Sequence, residues 1–169
     1  MAYGQMDTSA VLDVRPPSAT PPVVGQILYF AYGANMRRAA FCQRCPGADW
    51  LGVARLEGFR PTIAWHGYAS VEPAPASTVW GVLWLLPAAH LAALDAFEEV
   101  GASWYVRTTA RVICPPGPRA EAMIYRTPDP KSGHPHPAYL EGVLAAAREN
   151  KLPSAYLAVL DRLAGPGRL

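Results

Sequence analysis

The chain has 169 residues, 51% of them hydrophobic and 17% charged, with 15 lysines and arginines against 13 aspartates and glutamates for a formal net charge of +2. That length suits one domain with its own core. So small a charge, scattered along the chain, excludes the field of a nucleic-acid or membrane-surface binder, and no apolar run approaches the ~20 residues of a membrane-spanning helix. Residues 1–26 lack apolar periodicity and hold Pro16, Pro17, Pro21 and Pro22. Close-set prolines suppress helix and central strand, so a flexible tail is expected there, ahead of a single domain at 27–169. Apolar and β-branched runs predict strands at 27–32, 50–56, 60–66, 79–86, 104–114 and 121–127. Helical spacing predicts helices at 35–41, 87–97, 136–149 and 153–164, the second with Leu91, Leu94 and Phe97 on one face and Pro87 in its first turn. The proline-bearing stretches 70–78 and 114–119 read as surface loops. Strands outnumber helices and mostly follow one another, which favours an α+β fold: a small mixed, largely antiparallel sheet or barrel flanked by helices.

Three cysteines cannot all pair, and no basic start followed by an apolar stretch marks the chain for export, so a reducing, cytoplasmic setting is expected. Cys42 and Cys45 form a C-x-x-C, the spacing of a redox pair or half a zinc site. A structural zinc wants four ligands, while Cys114 is distant and His134 and His136 sit in a proline-rich loop, so no metal is expected. His66 and His90 read as ordinary surface or rim residues.

The run Tyr29-Phe30-Ala31-Tyr32-Gly33-Ala34-Asn35-Met36 carries the most information. An apolar strand ends abruptly in a glycine able to adopt positive φ, and Asn35 stands where it can cap a short helix. Consecutive N–H groups exposed at such a turn make a cradle for a carboxylate or a developing oxyanion. Tyr32, Gly33, Ala34, Asn35 and Met36 are therefore candidate substrate-binding residues.

The same run closely resembles the YFAYGSN(L/M) signature of the γ-glutamylcyclotransferase-like family. Leu94-Asp95-Ala96-Phe97-Glu98-Glu99-Val100 with Trp104-Tyr105 resembles that family's catalytic segment, and Pro135–Tyr139 with Ala147–Pro153 and Tyr156 resembles its ending. Three motifs in order span about residues 27–160. One departure is Ala34 where the family has serine, which removes a hydroxyl from the cradle. The resemblance implies a compact α+β barrel with a pocket at one mouth and Glu98 as the catalytic acid/base. It also implies Tyr105 and Tyr139 around a bound glutamyl group. Tyr32 and Tyr125 divide evenly between pocket lining and core packing, since a buried tyrosine needs only one hydroxyl partner.

From the residues alone, Glu98 follows an apolar helix face, and desolvation there raises a carboxyl pKa toward neutrality. Its neighbour Glu99 should face solvent. The chemistry the resemblance implies is lactam formation, in which a γ-glutamyl amide's own α-amino group attacks its γ-carbonyl and releases 5-oxoproline. Ring closure is intramolecular, so positioning and one proton carrier suffice and no cofactor is called for. The expected partner is a small γ-glutamyl substrate, with loops 66–78 and 128–138 building the subsite for the leaving amine. Arg107 and Arg126 are candidates for positive field at the mouth. A non-catalytic binding domain of the same fold is the alternative, suggested by Ala34 and opposed by the presence of Glu98.

Overall fold

A computed structural model describes residues 25–165; the expected tail lies outside them except for Gly25 and Gln26, and Gln26 already begins the first strand. The strands are β1 (Gln26–Ala31), β2 (Asp49–Ile63), β3 (Ala69–Pro87), β4 (Val106–Ile113) and β5 (Arg119–Arg126). The α-helices are α1 (Arg38–Arg44), α2 (Leu91–Phe97), α3 (Pro137–Glu149) and α4 (Ser154–Arg162). The strands close into a barrel in the order β1-β3-β2-β4-β5. Every pairing is antiparallel except β1 with β5, which run parallel and bring Tyr29 beside Met123. The α+β barrel expected from the sequence is thus the fold observed.

Two expected strands, 50–56 and 60–66, are one. The ladder of β2 on β3 slips between Glu57 and Phe59, so the chain bends there and pairing resumes. The predicted loop at 70–78 is likewise part of β3. Thr78 pairs with Glu57 and Pro73 with Phe59, which leaves residues 74–77 opposite the slip in β2. Pro75 falls in this break, where no ladder donor is needed.

The core is a single cluster that fills the barrel and the seams under the helices, with Phe30, Met36, Phe41, Leu56, Trp84 and Leu94 fully buried. In α3, Leu140, Val143, Leu144 and Ala147 recur at helical spacing and are all buried, behind a proline at the first turn. The helix expected at 87–97 is different: Pro87 ends β3, residues 88–90 form a 3₁₀ turn, and α2 has only seven residues. Only Leu94 of its expected face is fully buried. Among the described residues no helix is long and apolar enough to cross a membrane.

Candidate active site

β1 runs out of the barrel at Ala31, and the chain turns at Gly33 into a 3₁₀ turn, Ala34–Met36. Gly33 has φ −124°, so positive φ is not why glycine stands here. The reason is close approach: a Cβ on Gly33 would lie 2.8 Å from the Tyr139 hydroxyl. That hydroxyl accepts hydrogen bonds from the Ala69 N–H, at 3.2 Å, and from the Ala34 N–H.

Asn35 is not a helix cap. No side chain caps either this turn or α1, and Asn35 is 3% exposed with its amide turned inward. Its Nδ2 donates to Glu98 Oε1 at 2.7 Å and to the Tyr29 hydroxyl at 3.0 Å, while its Oδ1 accepts from Arg44 and its carbonyl from the Trp84 indole. With Oδ1 taken by a guanidinium, Nδ2 has to face the carboxylate. Met36 is fully buried in the core below and does not line the cavity, which corrects its expected place in the site. A second buried amide, Asn150, pins the turn from α3: its Nδ2 donates to the carbonyls of Met36 and Ala146, both at 2.9 Å, and its Oδ1 accepts from the Trp50 indole at 3.1 Å.

Glu98 caps the C-terminus of α2, its N–H bonded to the Leu94 carbonyl. Its carboxyl faces a cavity of about 270 Å³ shared with Gly33, Ala34 and Asn35. Burial lifts its pKa to about 7, against the opposing pull of the Arg44 guanidinium and the Asn35 hydrogen bond. Glu99 is exposed, in a left-handed conformation with φ 52°. The chain reverses there and again at Ser103, φ 59°, which returns Trp104 and Tyr105 to the cavity.

Tyr29, Tyr32, Tyr105, Tyr125 and Tyr139 complete the inner wall. Burial raises each of their pKa values, so all remain neutral hydroxyls. Tyr32 donates to the Tyr125 carbonyl, Tyr105 to the Ala69 carbonyl at 2.6 Å, and Tyr125 to Asp95 Oδ1 at 2.7 Å. The structure therefore gathers the catalytic and substrate-binding candidates, all but Met36, around one cavity.

Several lining or supporting residues were not singled out: Tyr29, Arg44, Tyr68, Ala69, Phe97 as a cavity residue, and Trp104, and Glu99, expected to face solvent, stands at the cavity's rim. Arg44 lies 3.4 Å over the Phe97 ring, so Phe97 faces a cation rather than the core and is 44% exposed. Trp104 was visible in the sequence only as the neighbour of Tyr105. Arg107 is ion-paired to Asp95 at 3.2 Å, and Arg126 lines a separate cleft of about 120 Å³, so the cation beside the site is Arg44. His66 is buried rather than at the surface, stacked on Trp104, and its burial lowers its pKa. The Cys42–Cys45 pair begins inside α1, not after it; Cys42 is exposed, Cys45 and Cys114 are buried, and all three are free thiols. Among the described residues no group of three or more His, Cys, Asp or Glu side chains is arranged around a common metal position.

Comparison with known proteins identifies the family and agrees with the fold. A sequence model of the AIG2-like family matches residues 78–160. The chain is 32% identical over 147 residues to the γ-glutamylcyclotransferase of Homo sapiens, covering 81% of this chain and 78% of that protein. The Mus musculus γ-glutamylcyclotransferase is also 32% identical, over 76% of this chain and 74% of its own length. A solved γ-glutamyl cyclotransferase structure superposes with a TM-score of 0.75 at 31% identity, over 80% of this chain and 86% of that one. The chain belongs to the AIG2-like, γ-glutamylcyclotransferase-like family. It is an enzyme of that type, and the barrel mouth holding Glu98 is its candidate active site.

Proposed function

We propose that the protein releases 5-oxoproline from γ-glutamyl amides, with Glu98 as the acid/base. The observation that carries this reading is a carboxyl raised toward neutrality by burial and held by a buried amide, in a cavity that it shares with the Gly33–Asn35 turn. As the carboxylate, Glu98 takes a proton from the substrate's α-ammonium group. The freed amine attacks the γ-carbonyl and a C–N bond forms to close the ring. Glu98 returns the proton to the leaving nitrogen as its C–N bond breaks, and the regenerated carboxylate takes the second proton from the ring nitrogen and passes it to the departing amine, which leaves a neutral lactam. A pKa near 7 suits both halves, since the group must take a proton and give it back at the same pH.

The backbone at Gly33, Ala34 and Asn35, with the Tyr139 hydroxyl, holds the substrate's negative oxygen. These dipoles are fixed before substrate arrives, which is the condition under which they favour a developing charge most. Ala34 offers only a methyl group, so the cradle works through backbone and tyrosine. Tyr32, Tyr105 and Tyr125 close the site around the glutamyl chain and keep its amine folded toward the carbonyl, the source of most of the acceleration in an intramolecular closure. The free thiols support a cytoplasmic setting.

The test is incubation of the protein with γ-glutamyl dipeptides, γ-glutamyl amines and glutathione, followed by mass spectrometry for 5-oxoproline. Release from at least one of them is expected; none from the whole panel, with folded protein, refutes the reading.

A further inference from the structure

The cavity wall changes character from one end to the other. Its inner end is built of buried hydroxyls, Tyr29, Tyr32, Tyr105 and Tyr125, whereas Tyr68 and Trp104 are half-buried and Phe97 is exposed. The large hydrophobic side chains most exposed among the described residues are Trp65, at 47%, and Phe97, at 44%. Both belong to this one mouth: Phe97 lines it, and Trp65 packs edge-on against Trp104 with ring centres 5.7 Å apart. Apolar surface concentrated at the opening of a cavity marks a binding surface.

The rings there are held in place by neighbouring rings, one of them, His66, outside the cavity lining. His66 stacks on Trp104 at 5.0 Å with only 8° between the planes, and Tyr68 meets Tyr139 edge-on at 4.9 Å. A side chain fixed by its own neighbours gives up little entropy when a ligand docks on it.

We propose that this aromatic mouth is the subsite for the leaving amine, and that it selects γ-glutamyl amides whose amine carries an aromatic side chain. The inference rests on the function proposed above. Glu98 delivers a proton to the departing nitrogen, so that nitrogen lies beside Glu98, and with the glutamyl group at the hydroxyl end its substituent extends outward. It then passes Phe97, the residue adjacent to Glu98, and reaches Trp104. Aromatic rings at such a wall gain offset or edge contacts beyond simple burial. Rings alone would also attract a cation, but the Arg44 guanidinium already occupies one face of Phe97 and repels a second positive charge.

The experiment compares kcat/KM for γ-glutamyl-phenylalanine, γ-glutamyl-alanine and γ-glutamylputrescine, each followed by 5-oxoproline release. The phenylalanine substrate is expected to exceed the alanine one by about tenfold or more. That ratio should fall toward unity in Trp104→Leu and in Phe97→Ala, the second of which alters an exposed ring and leaves the core packing in place. Equal rates for the two dipeptides, with 5-oxoproline formed from both, overturn the subsite and leave the cyclotransferase reading standing. A preference for the putrescine amide overturns it in favour of a cation site. A ratio unchanged in both variants also overturns it, and no 5-oxoproline from any of the three removes the reading and the subsite together.

Discussion

On the Gly33–Met36 side of the cavity the wall is tied down from several elements: Asn35 is hydrogen-bonded to residues of β1, α1, β3 and the end of α2, and Asn150 reaches in from α3 to the Met36 carbonyl. On the Glu98 side the chain makes two left-handed turns at non-glycine residues within five positions, at Glu99 and Ser103, and the Glu99 carbonyl accepts from the N–H groups of Ala102 and Trp104. A left-handed residue with a Cβ costs about 1–2 kcal/mol. The first side thus has fixed dipoles suited to holding charge. The second carries backbone strain that brings Glu98 and Trp104 to the same space and leaves Glu99 exposed at its rim. Adjacent glutamates with opposite environments are the result, and the experiments below try to abolish or exaggerate the contrast.

The largest effect is expected from Glu98→Gln. The amide keeps the shape and can still accept from Asn35 but cannot carry protons, so kcat should fall by about 10²–10⁴. Glu99→Gln should change kcat little; equal losses in the two variants would erase the distinction between the two positions. The same substitution probes stability. The Glu98 pKa is raised in the folded state, so folding favours its protonated form, and stability declines as pH rises from the unfolded carboxyl range through about 7. Removing the charge should therefore raise the melting temperature of Glu98→Gln relative to the parent at pH 8, with the gap closing toward pH 5.

A smaller effect is expected from Gly33→Ala on the opposite wall. The new methyl group would press on the Tyr139 hydroxyl. Overpacking of about 1–3 kcal/mol corresponds to a loss of about five- to 150-fold in affinity for 5-oxoproline, measurable by calorimetry. Adding Tyr139→Phe removes the clashing atom and should recover part of the loss. Undiminished affinity in Gly33→Ala would place the ligand away from this turn.

The smallest effect is expected from Arg44→Met. Arg44 holds the Glu98 pKa down, so its loss should move the acid limb of the kcat profile to higher pH and reduce turnover at pH 7 by less than about tenfold, with the alkaline plateau less affected. A uniform loss at all pH values would mean that Arg44 acts through packing alone.

Local signals carried the sequence reading as far as local signals reach. The Tyr29–Met36 turn, the place of Glu98 at the end of an apolar helix face and the helix at 136–149 were legible because each is written within a few residues, whereas the role of Glu98 rested on the family resemblance. The two long strands were not, because residues 57–59 and the proline-bearing stretch 70–78 read as breaks between strands, whereas in the barrel the slipped ladder takes them up as a bend. The glycine at 33 was recognised, but its reason was not, since the Tyr139 hydroxyl that forbids a side chain is more than a hundred residues away. Phe97 was taken for core because helical spacing cannot register that Arg44 covers it from another element. Distance along the chain separates what was legible from what was not.

The parallel seam between β1 and β5 has a kinetic consequence. Tyr29 meets Met123 across nearly a hundred residues, and this pairing seals the barrel. Joining such distant segments carries a loop-closure entropy that hairpins such as β2–β3 and β4–β5 avoid, so the seam belongs to the slow, late part of folding. A nascent chain that has not yet released β5 has Gly33–Asn35 and Glu98 but lacks Tyr125 of β5 and also Tyr139 and Asn150, which follow it. Catalytic competence is therefore expected late in folding, and a ligand that bridges β1 and β5 should draw that step forward by mass action.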